Sequence, residues 1–212
     1  MNPLLEVVMV LYLAEAAIWL SPFSHIVSIL CGIGAAGMTL LHWTKAYSPA
    51  GIRAFWTPNG TRKVYAEFGI IFMLFAALIA TIGLYANPHV FFTPHLAKRF
   101  SISIGCYLGN ALWQQLLVLG YFLPQLEKGF ERRWIAFIAL GCMFALVHMP
   151  NPVLVPITLI GGILCAYFYR TTRNIYLIII AHSILAVGIM YLFPAAWHHH
   201  LRIGPGYFQR NP

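Results

Sequence analysis

Aspartate is absent from these 212 residues, glutamate occurs five times, and charged residues of both signs make up only 8% of the chain. A soluble domain carries roughly a quarter. With 60% hydrophobic residues as well, the composition excludes a water-soluble globule and places the chain in a bilayer. No CxxC spacing links Cys31, Cys106, Cys142 and Cys165, all of which lie in apolar runs; neither a zinc ribbon nor a disulfide framework is indicated. The first twenty residues lack a basic leader and a small-residue cleavage site, so they read as a retained helix rather than a signal peptide. A contiguous basic patch is missing too. The thirteen Lys and Arg residues fall between apolar segments, which argues against nucleic acid as a partner and makes them topology signals. No internal repeat is present to suggest an alternating-access carrier.

What the chain has instead is a series of apolar segments, at about residues 3–20, 25–43, 68–86, 103–123, 134–148, 156–169 and 175–193. At about 20 residues per crossing they predict an all-α fold: a polytopic membrane helix bundle of about seven transmembrane helices, forming a single integral membrane domain over 1–212. The stretch 44–67 is a polar connector with an interfacial turn at Ala54-Phe55-Trp56, and the aromatic and cationic stretch after residue 86 suits the headgroup layer. With a cytoplasmic N-terminus, nine cations (Lys45, Arg53, Arg62, Lys63, Lys128, Arg132, Arg133, Arg170 and Arg173) fall on the cytoplasmic side and four on the other, in accord with the positive-inside tendency.

Three of the segments carry polar groups where lipid demands hydrocarbon: Gln114 with Gln115, His148, and His182. Such groups cost on the order of 2–3 kcal/mol unless they face a bundle interior or a wet cavity, so they mark a site before anything else. The spacing of Tyr107, Asn110, Gln114 and Tyr121 predicts one polar stripe along the fourth helix, and Gln114, His148 and His182 fall at matching depths. Thr158, Gly161, Gly162 and Cys165 read as a small-residue packing face. Glu15 is the carboxylate deepest in a span, with Glu6 near an end. His198, His199 and His200 have metal-binding composition in a polar, Gly- and Pro-punctuated tail.

The order of these clusters resembles the CPBP family of intramembrane proteases, the CAAX-protease and bacteriocin-processing group. Its pattern is a glutamate pair followed by Arg-Gly, then Phe-x-x-x-His, then His-x-x-x-Asn or Asp. Phe144 to His148 fits the second motif, and Gly161, Tyr169, Arg170, Asn174 and Ala181-His182 have the family's spacing. Gln114 and Gln115 stand at the glutamate positions, Leu119 at the arginine with Gly120 kept after it, and Ala186 at the Asn or Asp. The resemblance implies a CPBP-type core at about 103–193, a site of His148, His182, Gln114 and Gln115, and hydrolysis of a peptide bond in a membrane-associated or lipidated substrate. It also implies residence in a bacterial inner membrane among membrane lipids, and it leaves the oligomeric state open.

The residues permit two chemistries. Imidazole can act as general base, with glutamine amide protons on the oxyanion; a glutamine itself has no base to offer. This route needs no cofactor. Alternatively His148, His182 and Glu15 hold zinc as three protein ligands. A third reading, without chemistry, is a catalytically impaired pseudoprotease that binds or chaperones membrane peptides.

Overall fold

The computed structural model describes residues 2–46, 49–92 and 94–209. Helix α1 (Pro3–Trp19) starts with proline in its first turn and Asn2 as N-cap, whose side chain accepts from the Leu4 amide at 2.9 Å. It forms a hairpin with α2 (His25–Ala46). The small residues of α2 let the backbones approach as expected: Gly32 lies against Ala17, and the Ser28 hydroxyl donates to the Ala17 carbonyl. A short helix α3 (Pro49–Trp56) replaces the single interfacial turn expected there, and α4 (Arg62–Ala86) comes next, capped by Thr61.

Helix α5 (Leu96–Leu117) begins seven residues earlier than hydropathy alone suggests, taking Lys98 and Arg99 into its first turn. It runs through a π-helical segment, Val118–Phe122, into α6 (Leu123–Gly129). Pro124 explains the π turn. Proline has no amide to donate, and its ring collides with the carbonyl four residues back; the wider turn, closed by the Leu123 amide on the Val118 carbonyl, relieves that conflict. Each extra residue in a turn rotates the rest of the helix by about 100°. Tyr121 therefore leaves the stripe predicted for it. It is fully buried, donating from its hydroxyl to Glu6 Oε1 at 3.2 Å, while Gln125 Nε2 donates to Glu6 Oε2 at 3.0 Å. Glu6 is thus the carboxylate drawn between helices. Glu15 accepts from Trp19 Nε1 at 3.1 Å on its own helix.

Helix α7 (Arg133–Leu146) packs on α8 (Leu154–Thr172) closely enough that their backbones touch. A Cβ added to Gly162 would sit 2.9 Å from the Gly141 Cα. Of the two glycines in the predicted packing face, Gly162 makes that contact and Gly161 does not. Helix α9 (Ile175–Leu192) is capped by Asn174, which accepts from the Leu177 amide at 3.2 Å, and packs on α4 and α5. Arg170 on α8 binds Glu127 on α6 through both Nε, at 2.8 Å, and a terminal guanidinium nitrogen. A short helix α10 (Ala195–His198) and two 3-10 turns complete the described tail.

Among the described residues five helical stretches are long and apolar enough to cross a membrane (α2, α4, α5 through α6, α8 and α9), whereas α1 at 17 residues falls short of that length and α7 at 14 is a shorter apolar helix. All seven expected segments are helical. Large apolar side chains point outward in rows, among them Ile26, Ile33 and Leu40 on α2 and Ile70, Met73 and Leu74 on α4, each more than half exposed. Such rows exceed what a soluble monomer tolerates and suit a lipid-facing surface. The protein core lies at the π segment, where Leu119, Leu123, Leu140, Ala166 and Ile175 are fully buried together.

Candidate active site

Helices α4, α5, α7, α8 and α9 enclose a cavity of about 430 Å³. Gln114, His148 and His182 all line it, so the three polar clusters met in sequence order do converge in space. Tyr107 and Asn110 join them from α5, and Thr158, Gly161 and Cys165 come from α8. Those three were expected to pack against a helix; Gly161 instead has nothing within 4 Å of where a Cβ would stand, while Thr158 is buried and Cys165 still packs against the core beside the cavity. The remaining wall is apolar and rich in phenylalanine, with Phe68, Phe72 and Phe75 from α4 and Phe168 from α8.

The two glutamines part company. Gln114 faces the cavity with its Oε1 buried and without a hydrogen-bond partner among the described residues, a standing cost of about 1–3 kcal/mol that a donating ligand would remove. Gln115 lies behind the wall, fully buried, with Nε2 2.9 Å from His182 Nδ1. With the carboxamide in this orientation its nitrogen can only donate, so Nδ1 accepts and the proton of His182 is assigned to Nε2. His148 is fixed the opposite way. Its Nδ1 lies 2.6 Å from the Phe144 carbonyl, which can only accept. The His148 proton is therefore on Nδ1, and Nε2 keeps a lone pair. Phe144 stands between the two, its ring 4.8 Å from His148 and 5.8 Å from His182.

The zinc donor set is not assembled. Among the described residues no three His, Cys, Asp or Glu side chains approach closely enough to share an ion, and Glu15 is absent from the cavity wall. Leu119 is fully buried in the core, away from the cavity, while Ala186 lines it.

Two contributors escape a reading of the sequence. Asn151, fully buried in the turn after His148, accepts at Oδ1 from the Val153 and Leu154 amides, both at 3.1 Å, and so starts α8. Its Nδ2 donates to the carbonyls of His198 at 2.7 Å and Arg202 at 3.0 Å. The tail is thereby pinned across the end of the bundle, where His200, Leu201 and Ile203 complete the cavity wall. His199, His200 and Leu201 all have positive φ, at 46°, 56° and 59°. For non-glycine residues this costs on the order of 1–3 kcal/mol each and persists only where the surroundings impose it. An asparagine flanked by prolines in a helix-starting position is the available signal for the first contributor. Nothing in the tail's pattern announces the second.

No curated protein and no solved structure matches this chain. The family profile described as type II CAAX prenyl endopeptidase Rce1-like matches residues 70–188, more than half of the sequence. That span holds α5 and α7 through His182, and with them every polar group that faces the cavity from a helix. An all-helical membrane bundle matched over this stretch belongs to the type II CAAX prenyl endopeptidase Rce1-like family.

Proposed function

We propose that the protein is an intramembrane endopeptidase that cleaves a prenylated peptide of the CAAX type on the carboxyl side of its lipidated cysteine. The observation that carries this reading is the opposed tautomers of two histidines on one cavity: one presents a lone pair, the other a proton. The phenylalanine-rich wall suits an isoprenoid chain, and the volume falls within the range of about 300–1,000 Å³ typical of ligand sites.

In this reading His148 Nε2 accepts a proton from water as the water oxygen attacks the carbonyl carbon of the scissile amide. The carbonyl oxygen becomes an oxyanion that receives the Nε2–H of His182 and an amide proton of Gln114. His148 then returns its proton to the departing nitrogen, the C–N bond breaks, and a carboxylic acid and an amine form, the acid giving its proton to the amine as they leave. Gln115 touches no reacting atom. It holds the tautomer of His182 and is a positioning residue.

The test is purified protein in liposomes with S-farnesyl peptides, products read by mass spectrometry. Cleavage after the modified cysteine is expected in wild type and absent in the His148→Ala, His182→Ala double variant. Equal cleavage by that variant overturns the site. Retention of the peptide without any cleavage by wild type turns the reading to a pseudoprotease that binds membrane peptides.

A further inference from the structure

Beside the main cavity, and sharing His200 with it, lies a second hollow of about 610 Å³ formed within residues 195–209. Its lining is the more polar of the two, with Ala195, Ala196 and Phe208 as its apolar part. It holds Arg202, His199, His200 and Tyr207. The sequence has no acidic residue beyond Glu131, and Arg202 has no ion-pair partner among the described residues. One guanidinium nitrogen of Arg202 donates to the Gln209 carbonyl at 3.1 Å, which steers the side chain and leaves its other N–H groups to a ligand. The His199 ring lies 4.1 Å from that of Tyr207. The floor of this hollow is the strained run at His199 and His200, held by the two bonds from Asn151 and by the Gly204 amide on the Met149 carbonyl at 2.7 Å.

An apolar cavity joined at one histidine to a hollow that carries an arginine fits an amphiphile with an anion beyond its reactive bond. We infer that the hollow binds the free α-carboxylate of the substrate, with Arg202 as the charged partner and His200 as a hydrogen-bond donor at the shared wall. The inference rests on the peptidase reading for its substrate. A peptide with three residues beyond the scissile bond carries its carboxylate about 10 Å past it when extended, so the anion is drawn away from the apolar wall toward the tail. Arginine is the side chain suited to a planar carboxylate, through paired N–H groups. The tail then sets specificity: a peptide bond is accepted when a free C-terminus lies at the right distance, and internal bonds of longer chains are passed over.

The test uses the full chain in phosphatidylcholine nanodiscs and a fluorescent S-farnesyl tetrapeptide, as free acid and as C-terminal amide. Binding is measured in wild type and in the His148→Ala chain, where turnover does not interfere. The acid is expected to bind at least about tenfold tighter than the amide, equivalent to about 1.4 kcal/mol. Arg202→Gln is expected to bring the acid to the level of the amide, leaving the amide's own affinity unchanged, and Arg202→Lys to recover part of the difference. Equal binding of acid and amide by wild type overturns the inference, as does a preference that survives Arg202→Gln. Discs containing phosphatidylglycerol form a further arm. If Arg202→Gln abolishes thermal stabilisation by that lipid while acid and amide bind alike, the hollow holds a lipid phosphate and the inference fails. Discrimination without cleavage leaves the subsite standing and removes the hydrolase; cleavage of acid and amide with equal kcat/KM does the reverse.

Discussion

The carboxamide of Gln115 holds Nδ1 of His182 at 2.9 Å, across a separation of 67 residues and from behind the cavity wall. The adjacent glutamine, Gln114, has the cavity to itself. Substitution of Gln115 by leucine, close in volume, leaves the Nδ1 of a buried histidine without its donor. Loss of a bond worth about 0.5–1.5 kcal/mol is expected to lower kcat roughly two- to tenfold with KM little changed, and the buried acceptor left unpaired should lower the melting temperature modestly. An equal rise in KM would show Gln115 shaping the binding pocket instead.

His148 carries the lone pair, so protonation silences it. Cleavage is expected to fall with decreasing pH along a single-proton limb, and His148→Ala to cost about 10²–10⁴-fold in kcat. Chelators and Glu15→Gln should leave the rate unaltered. Loss on chelation would instead call for a metal held by residues other than those placed here.

The α7–α8 contact sets where His148 stands. Gly162→Ala places a methyl 2.9 Å from the Gly141 Cα, and backbone on both sides cannot move aside cheaply. A loss of about 1–3 kcal/mol is expected, seen as a lower melting temperature in detergent. Gly161→Ala meets nothing within 4 Å and should melt as wild type does.

His198 gives the tail a pH dependence. It is buried outside the spanning helices, and burial, its largest influence, lowers its pKa below the ordinary imidazole value. Its Nδ1 accepts from the Leu201 amide at 3.2 Å, a bond that requires the neutral ring. A folded pKa below the unfolded value of about 6.5 means the contribution is complete above that pH and is lost as pH falls toward the lowered value. Protection over residues 195–209, taken as the intrinsic exchange rate at each pH divided by the observed rate, should fall between pH 7.5 and pH 5, to a degree set by the ~1.4 kcal/mol per pH unit of one titrating group. The fall should disappear in His198→Gln, and protection that is indifferent to pH in wild type would contradict it.

Orientation is set by the distribution of cations. A reporter fused behind the tail is expected on the non-cytoplasmic side, and one placed at the α6–α7 turn beside Arg132 in the cytoplasm. The reverse pattern would invert the topology.

Much of this is legible in the sequence because lipid makes polar groups conspicuous. Gln114, His148 and His182 stand out against hydrocarbon, and similar depths bring them together. The glutamine pair does not resolve at that level, since adjacent helical positions differ by about 100° and only the packing of α9 decides which one faces the cavity. Tyr121 falls into the wrong stripe because a π turn is invisible to a period of 3.6; Pro124, three residues on, is its trace. Glu6 reads as peripheral from its place near the start of the helix, yet Tyr121 and Gln125 reach it once α6 swings alongside. The tail is unreadable in a stricter sense, since its positive-φ conformation belongs to residues that normally avoid it.

The separation of Gln115 from His182 also has a meaning in time. Membrane helices are made in order, and at about 5–20 residues per second the partner of Gln115 leaves the ribosome roughly 3–13 s after it. Through that interval α5 holds three carboxamides, Asn110, Gln114 and Gln115, in surroundings where an unpartnered polar group costs several kcal/mol. The helix that will form the polar wall of the cavity is therefore the one most dependent on whatever shelters a nascent segment from lipid, and a slowed or stalled chain is most exposed there.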